Sequence, residues 1–209
     1  MDIDLNSIGM IQGQQYEVIV TTENIDGTYN AAPIGVICKN KDEILCKIFK
    51  TSKTLSNICK NESFTVNITY DPILFTLATI DNIPLEYYED NTILKDINAY
   101  FKCNVSDFKE TVRKDDPVRK NEAIVITAKV NSLKIKETTF KPLNRGMCSL
   151  IESLVNYTRI DYVTKEKQDY YINRLKESER IIKKVGTLKE KEAIKILKEK
   201  IISKGFNFK

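Results

Sequence analysis

The sequence contains no histidine. That absence removes Ser-His-Asp and Cys-His nucleophile chemistry, histidine acid–base work and most zinc sites. Its five cysteines, Cys38, Cys46, Cys59, Cys103 and Cys148, are scattered and form no C-x-x-C pair. This spacing argues against a metal site or a disulfide framework and fits reduced thiols. No apolar run approaches the roughly 20 residues that span a bilayer. The start of the chain lacks the basic and apolar segments of a secretory leader, so a cytoplasmic location is expected. No G-x-G-x-x-G follows a strand-like run, so a Rossmann site is not supported. Any redox or acid–base chemistry therefore needs a borrowed cofactor.

The 209 residues are 42% hydrophobic and 30% charged, enough for a real core and a soluble surface. Basic residues number 33 against 29 acidic ones, a net charge of +4. That balance is too even to indicate nucleic acid without clustering on one face. The Lys-rich run KEKEAIKILKEK (189–200) reads either as a solvated helix face or as a nucleic-acid surface. Its interleaved Glu190, Glu192 and Glu199 weaken the second reading.

Residues 1–140 read mainly as β and 141–209 as helical. YEVIVTTE (16–23), YNAAPIGVIC (29–38) and EILCKIFK (43–50) form a meander through an Asp-Gly turn and a polar KNKD turn. A two-turn helix begins at Ser52 or Lys53 and ends before Glu62. SFTVNITY (63–70) is a strand with Phe64, Val66 and Ile68 inward. Asp71-Pro72 opens a short buried helix, with strand as the alternative. INAYFKCNV (97–105) and EAIVITAKVNSLKI (122–135) alternate as strands, with KETVRKDDP as a charged loop between them.

Beyond Pro142, the helix over 144–160 carries Met147, Leu150, Ile151, Leu154 and Val155 on one face. Thr164 caps a second helix bearing Tyr171, Leu175 and Ile182. Thr187 and Glu190 make a capping box for a third, with Ala193, Ile196, Leu197 and Ile201 inward. The expected class is α+β, an antiparallel closed or partly closed barrel with a C-terminal helical domain.

Four stretches could carry chemistry. Lys50, Thr51, Ser52, Lys53 and Thr54 place two cations and three hydroxyls at the mouth of a helix. Either Ser52 caps the helix and the lysines lie in solvent, or the cluster holds an anion at the unpaired N–H groups. Asn30, Ala31, Ala32, Pro33 and Ile34 put small side chains and a proline inside a strand. This is an edge strand with a bulge, or a place where a flat ligand meets the backbone. Asn144 and Arg145 open the C-terminal helix. Arg145 is a surface cation or a fork for phosphate or carboxylate. Asn67, inside FTVNIT, faces either solvent or a ligand.

Together, DGTYNAAPIGV, IFKTSKTLSNICKNESFTVNIT with DPILF, and NRGMCSLIESLVNYTR resemble the archaeal-type family of uncharacterised FMN-binding split-barrel proteins. These are relatives of the flavin reductase-like group, and the resemblance covers nearly the whole chain. It implies a homodimer of split β-barrels with FMN at or near the subunit interface. It implies that Lys50–Thr54 grip the flavin phosphate and that Asn30–Gly35 lie along the isoalloxazine. It further implies flavin contacts for Asn67, and for Asn144 and Arg145. Tyr16 and Thr22 are further candidates for ring or ribityl contacts. The implied activity is a flavin-reductase-type oxidoreductase, with reduced nicotinamide, a deazaflavin or another carrier as donor. The alternative is a non-catalytic FMN-binding or carrier module. No side chain is singled out as catalytic.

Overall fold

A computed structural model describes residues 3–80, 82–111, 123–137 and 140–208. It divides into two compact units, Met1–Leu143 and Asn144–Lys209.

The first unit is a closed barrel of six antiparallel strands. In chain order these are β1 (Gln15–Glu23), β2 (Tyr29–Cys38), β3 (Glu43–Phe49), β4 (Ser63–Ile68), β7 (Ala99–Thr111) and β8 (Ala123–Ile135). Around the barrel they run β1-β2-β3-β8-β7-β4, and β4 closes onto β1. Three elements lie outside this ring or plug it: α1 (Lys53–Asn61), α2 (Pro72–Ile80) and the two-stranded β5 (Tyr88–Asp90) and β6 (Ile93–Leu94). The β1–β2 turn closes as its Asp-Gly pair requires. Gly27 takes a left-handed φ of 78°. Asp26 Oδ1 accepts from both the N–H and the hydroxyl of Thr28.

The barrel has two buried faces. Val18, Val20, Val36, Ile44, Ile48, Val66, Phe101 and Ile126 fill its interior, and Leu55 and Ile58 of α1 close one end. Ile19 and Ala31 point the other way, into a second cluster under α2 with Leu74, Ala78, Tyr88 and Leu94. Burial on both sides explains why Val18, Ile19 and Val20 are apolar in succession. It also adjusts the expectation for β4. Phe64, Val66 and Ile68 are inward as expected, but Thr65 and Asn67 are buried on the opposite face. DPILFTLATI resolves to helix, with the Asp71 carboxylate accepting from the N–H of Ile73 at 2.7 Å. The charged 109–117 stretch does not begin as a loop, because β7 continues through Thr111. Its remainder, and Glu122, lie outside the described residues.

The second unit is three helices, α3 (Arg145–Arg159), α4 (Lys165–Val185) and α5 (Leu188–Ser203), around Leu150, Leu175, Ile182, Ile194, Leu197 and Ile201. The Thr187–Glu190 capping box forms as the sequence indicates, with bonds of 3.3 and 2.7 Å. Thr164 occupies its N-cap position but makes no side-chain capping bond. The expected inward stripe of α3 is corrected. Met147, Ile151, Leu154 and Val155 are exposed, and the buried row is Gly146, Leu150 and Ser153. Small side chains let neighbouring helices approach closely, so the tight contact falls at one edge of the apolar stripe. In α5, Ile194 replaces Ile196 as the buried residue; Ile196 is 61% exposed.

The thiols divide sharply. Cys46 and Cys103 point into the barrel, where burial pushes the Cys46 thiol up to about 12 and raises that of Cys103 as well. A raised thiol pKa leaves almost no thiolate at neutral pH, and the thiolate is the nucleophile. Cys59 and Cys148 are exposed. Brief iodoacetamide treatment of the native protein at neutral pH should therefore alkylate Cys59 and Cys148 and spare Cys46 and Cys103. Intact and peptide mass spectrometry reads this directly. Labelling of Cys46 or Cys103 would mean that the barrel opens.

Candidate functional site

The site begins where β3 ends. Phe49 closes the strand, and the chain turns through Lys50 and Thr51 into α1. The Ser52 hydroxyl donates to the Phe49 carbonyl at 2.8 Å and accepts from the Leu55 N–H at 3.2 Å. The Ser52 carbonyl takes the N–H of Ser56. Ser52 is thus a working N-cap, and its hydroxyl proton is engaged. The first two helical N–H groups, of Lys53 and Thr54, have no carbonyl four residues back to accept them and face out of the helix end. With the helix dipole they form a partly positive mouth.

The helix is held across the barrel by buried carboxamides. Asn30 Nδ2 donates to Thr54 Oγ1 at 3.0 Å. Asn57 Nδ2 donates to Thr22 Oγ1 at 2.9 Å and to Asn24 Oδ1 at 2.8 Å. Thr22 and Asn30 are register partners on β1 and β2. Four buried polar residues from three elements thus meet beneath the helix start. The Thr54 oxygen accepts from Asn30, which leaves its hydroxyl proton to donate elsewhere. Sequence patterns alone do not single out Asn57. The available signal is its position three residues after Thr54, and so on the same side of the helix.

The small-residue strand lies beside this mouth. β2 pairs with β1 along its whole length but with β3 only over Val36–Cys38. Between Tyr29 and Gly35, among the described residues, the strand has a β neighbour on one side alone. Pro33, which has no N–H, sits in this half. Ala31 is buried against the α2 side, while Ala32, Pro33 and Ile34 are half-buried. The edge-like character read from the proline is real at this end, and β2 is a ring strand at the other.

Two acids face the lysines. Lys50 Nζ lies 3.0 Å from Glu110 Oε1. Lys53 is exposed and approaches Asp26. The Asp26 carboxyl is held below the usual range first by the Thr28 hydroxyl and N–H bonds, with a smaller contribution from Lys53.

Other candidates are placed differently. Asn67 is fully buried. Its Nδ2 donates to Thr21 Oγ1 at 2.9 Å, with longer bonds to the Ile19 and Thr92 carbonyls. Its Oδ1 accepts from the Leu94 N–H at 3.0 Å. Here Asn67 meets neither solvent nor open space, and it joins β1, β4 and the β5–β6 hairpin. The Tyr16 hydroxyl accepts from the Ile11 N–H and donates to the Gly9 carbonyl. Asn144 and Arg145 belong to the helical unit. Asn144 caps α3 by accepting from the Gly146 N–H at 2.8 Å and donates to the Val185 carbonyl at 2.8 Å. Arg145 is exposed, and its charge helps lower the Glu177 carboxyl, after the larger effect of Arg180. Among the described residues no cluster of metal-ligating side chains occurs and no helix is long and apolar enough to cross a membrane.

A closed six-stranded antiparallel barrel with a capped helix at one end, followed by a separate helical unit, is a split-barrel fold with a C-terminal helical region. The chain belongs to the family described as protein of unknown function DUF447. The family's N-terminal domain model matches residues 16–136 and its C-terminal model matches 144–199. A crystal structure of an FMN-bound DUF447 protein from Methanosarcina mazei is similar at 28% identity and a TM-score of 0.55. The match covers 94% of this chain and 99% of that one. Nitrilotriacetate monooxygenase component B from Bacillus cereus matches at 15% identity and a TM-score of 0.48, over 66% of this chain and 78% of that one. Flavoredoxin from Methanosarcina acetivorans matches at 17% identity and a TM-score of 0.46, over 63% and 76%.

Proposed function

We propose that this protein binds FMN, with the flavin phosphate at the start of α1 and the isoalloxazine along the half of β2 that lacks a second neighbour. The observation that carries the reading is the junction itself. The Asn30–Thr54 bond fastens the anion-type helix mouth to the small-residue strand. The FMN-bound relative of 28% identity supports the choice of ligand.

The donor set fits a phosphomonoester. The N–H groups of Lys53 and Thr54, the hydroxyls of Thr51 and Thr54, and the ammonium groups of Lys50 and Lys53 all come from the short β3–α1 turn and the first turn of α1. A phosphate of about −1.5 to −2 charges finds both donors and counter-charge there. Ser52 serves through the cap, by fixing where those N–H groups point. Ala32 and Pro33 present little bulk to a flat ring. The carboxamides of Asn67 and Asn144 already serve internal bonds.

Bound FMN supplies hydride or electron transfer itself, so a chain without histidine loses nothing that this chemistry requires. On this reading the protein is an oxidoreductase of flavin-reductase type, reduced by a nicotinamide, a deazaflavin or another carrier. It works as a homodimer. Exposed Ile73, Ile80 and Leu85 on and after α2 supply apolar surface for a second copy. The second reading is an FMN carrier without turnover, which the same cradle would serve.

Purified protein should be yellow, or become so with FMN, and keep a flavin spectrum through desalting. A colourless protein that ignores added FMN sinks the proposal. Anaerobic mixing of the loaded protein with each donor then separates the two readings. Bleaching of the flavin band within seconds supports the reductase, and its persistence with every donor supports the carrier.

A further inference from the structure

We infer that Glu110 is a built-in competitor of the phosphate for Lys50 and so sets how tightly the cradle holds its ligand. The inference rests on the FMN reading and adds a residue to it. Strand register places Glu110. Ile48, Ile124 and Glu110 form one row across β3, β8 and β7, and Lys50 lies two residues beyond Ile48. Its ammonium reaches across to the Glu110 carboxylate at 3.0 Å.

The two partners are unequally placed. The Lys50 side chain is 31% exposed and that of Glu110 is 76% exposed. The lysine is held at the cradle, while the carboxylate stands at the rim and can swing into water at little cost. A phosphate entering the helix mouth needs the same ammonium. It must displace the carboxylate or share the cation with it, and two anions on one ammonium repel each other. Glu110 therefore lowers affinity for a phosphate ligand. It also offsets part of the Lys50 charge beside the helix N-terminus, where the dipole disfavours a cation.

The test is FMN titration by flavin fluorescence quenching with wild type, Glu110→Gln, Lys50→Gln and the double variant. Glu110→Gln should tighten FMN binding by about two- to fivefold at low salt, the scale of one exposed ion pair. The gain should shrink near about 1 M salt, where screening acts within about 3 Å. In the Lys50→Gln background the Glu110→Gln change should have no effect, because the contested cation is gone. Unchanged or weaker binding by Glu110→Gln overturns the inference. So does an equal gain in both backgrounds, which would mean a diffuse field. If wild type and all variants fail to bind FMN, the FMN reading falls and takes this inference with it.

Discussion

Ser52→Asp should leave the barrel folded and lower FMN affinity by about a hundredfold or more. Aspartate is among the best N-cap residues and its charge suits a helix N-terminus, so the cap to Leu55 N–H survives. The bond from the Ser52 hydroxyl to the Phe49 carbonyl is lost, but that carbonyl lies at an exposed turn. A carboxylate would, however, stand beside the proposed position of the FMN phosphate. Two unit charges about 4 Å apart near a protein surface interact by about 4 kcal/mol, and the phosphate carries more than one. Even with strong solvent screening, about 3 kcal/mol remains, or roughly a hundredfold. Ser52→Ala is the control. It removes the cap and costs about 1 kcal/mol of stability, with no new charge at the mouth. Circular dichroism and FMN titration on both variants separate the helix cap from the anion site. A Ser52→Asp protein that binds FMN like wild type would place the phosphate elsewhere.

Asn67→Ala should have the largest effect on stability, about 2–4 kcal/mol. Asn67 is fully buried and serves two close bonds and two longer ones. Its loss leaves the Leu94 N–H buried without an acceptor, at about 1–3 kcal/mol, and removes a bond of about 1 kcal/mol to Thr21. A cavity adds to the cost. In a chain of this length the midpoint of thermal unfolding should fall by roughly 5–15 °C. The same experiment weighs the flavin contact implied by the family resemblance. If Asn67 chiefly touches the ligand, FMN affinity falls while the melting temperature of ligand-free protein stays put. If it chiefly ties the β5–β6 hairpin to the barrel, the ligand-free protein is the one that suffers.

Much of the first unit was legible because its signals are local. The Asp-Gly turn, the Ser52 cap and the Asp71-Pro72 helix start each depend on residues within a few positions of one another. The Thr187–Glu190 box is of the same kind, and it formed as read. The apolar stripe of α3 was also local, but periodicity marks a stripe wider than any one contact. Which edge faced its neighbours depended on Gly146 and Ser153 allowing a close approach.

The sequence alone determined that side-chain histidine chemistry is absent, that cations and hydroxyls open a helix, and that a small-residue strand comes earlier in the chain. Tertiary structure decided what those pieces do together. Asn30 meets Thr54, Asn57 meets Thr22, Asn67 meets Thr21, and Lys50 meets Glu110, pairs separated by tens of residues. Partnerships of this kind are set by strand register and barrel closure. A slip of one residue in a strand would reverse which face each side chain meets, so no local pattern around an asparagine can name its partner. The helix cap was written into neighbouring residues; that its start lies beside the small-residue strand was decided only when the barrel closed.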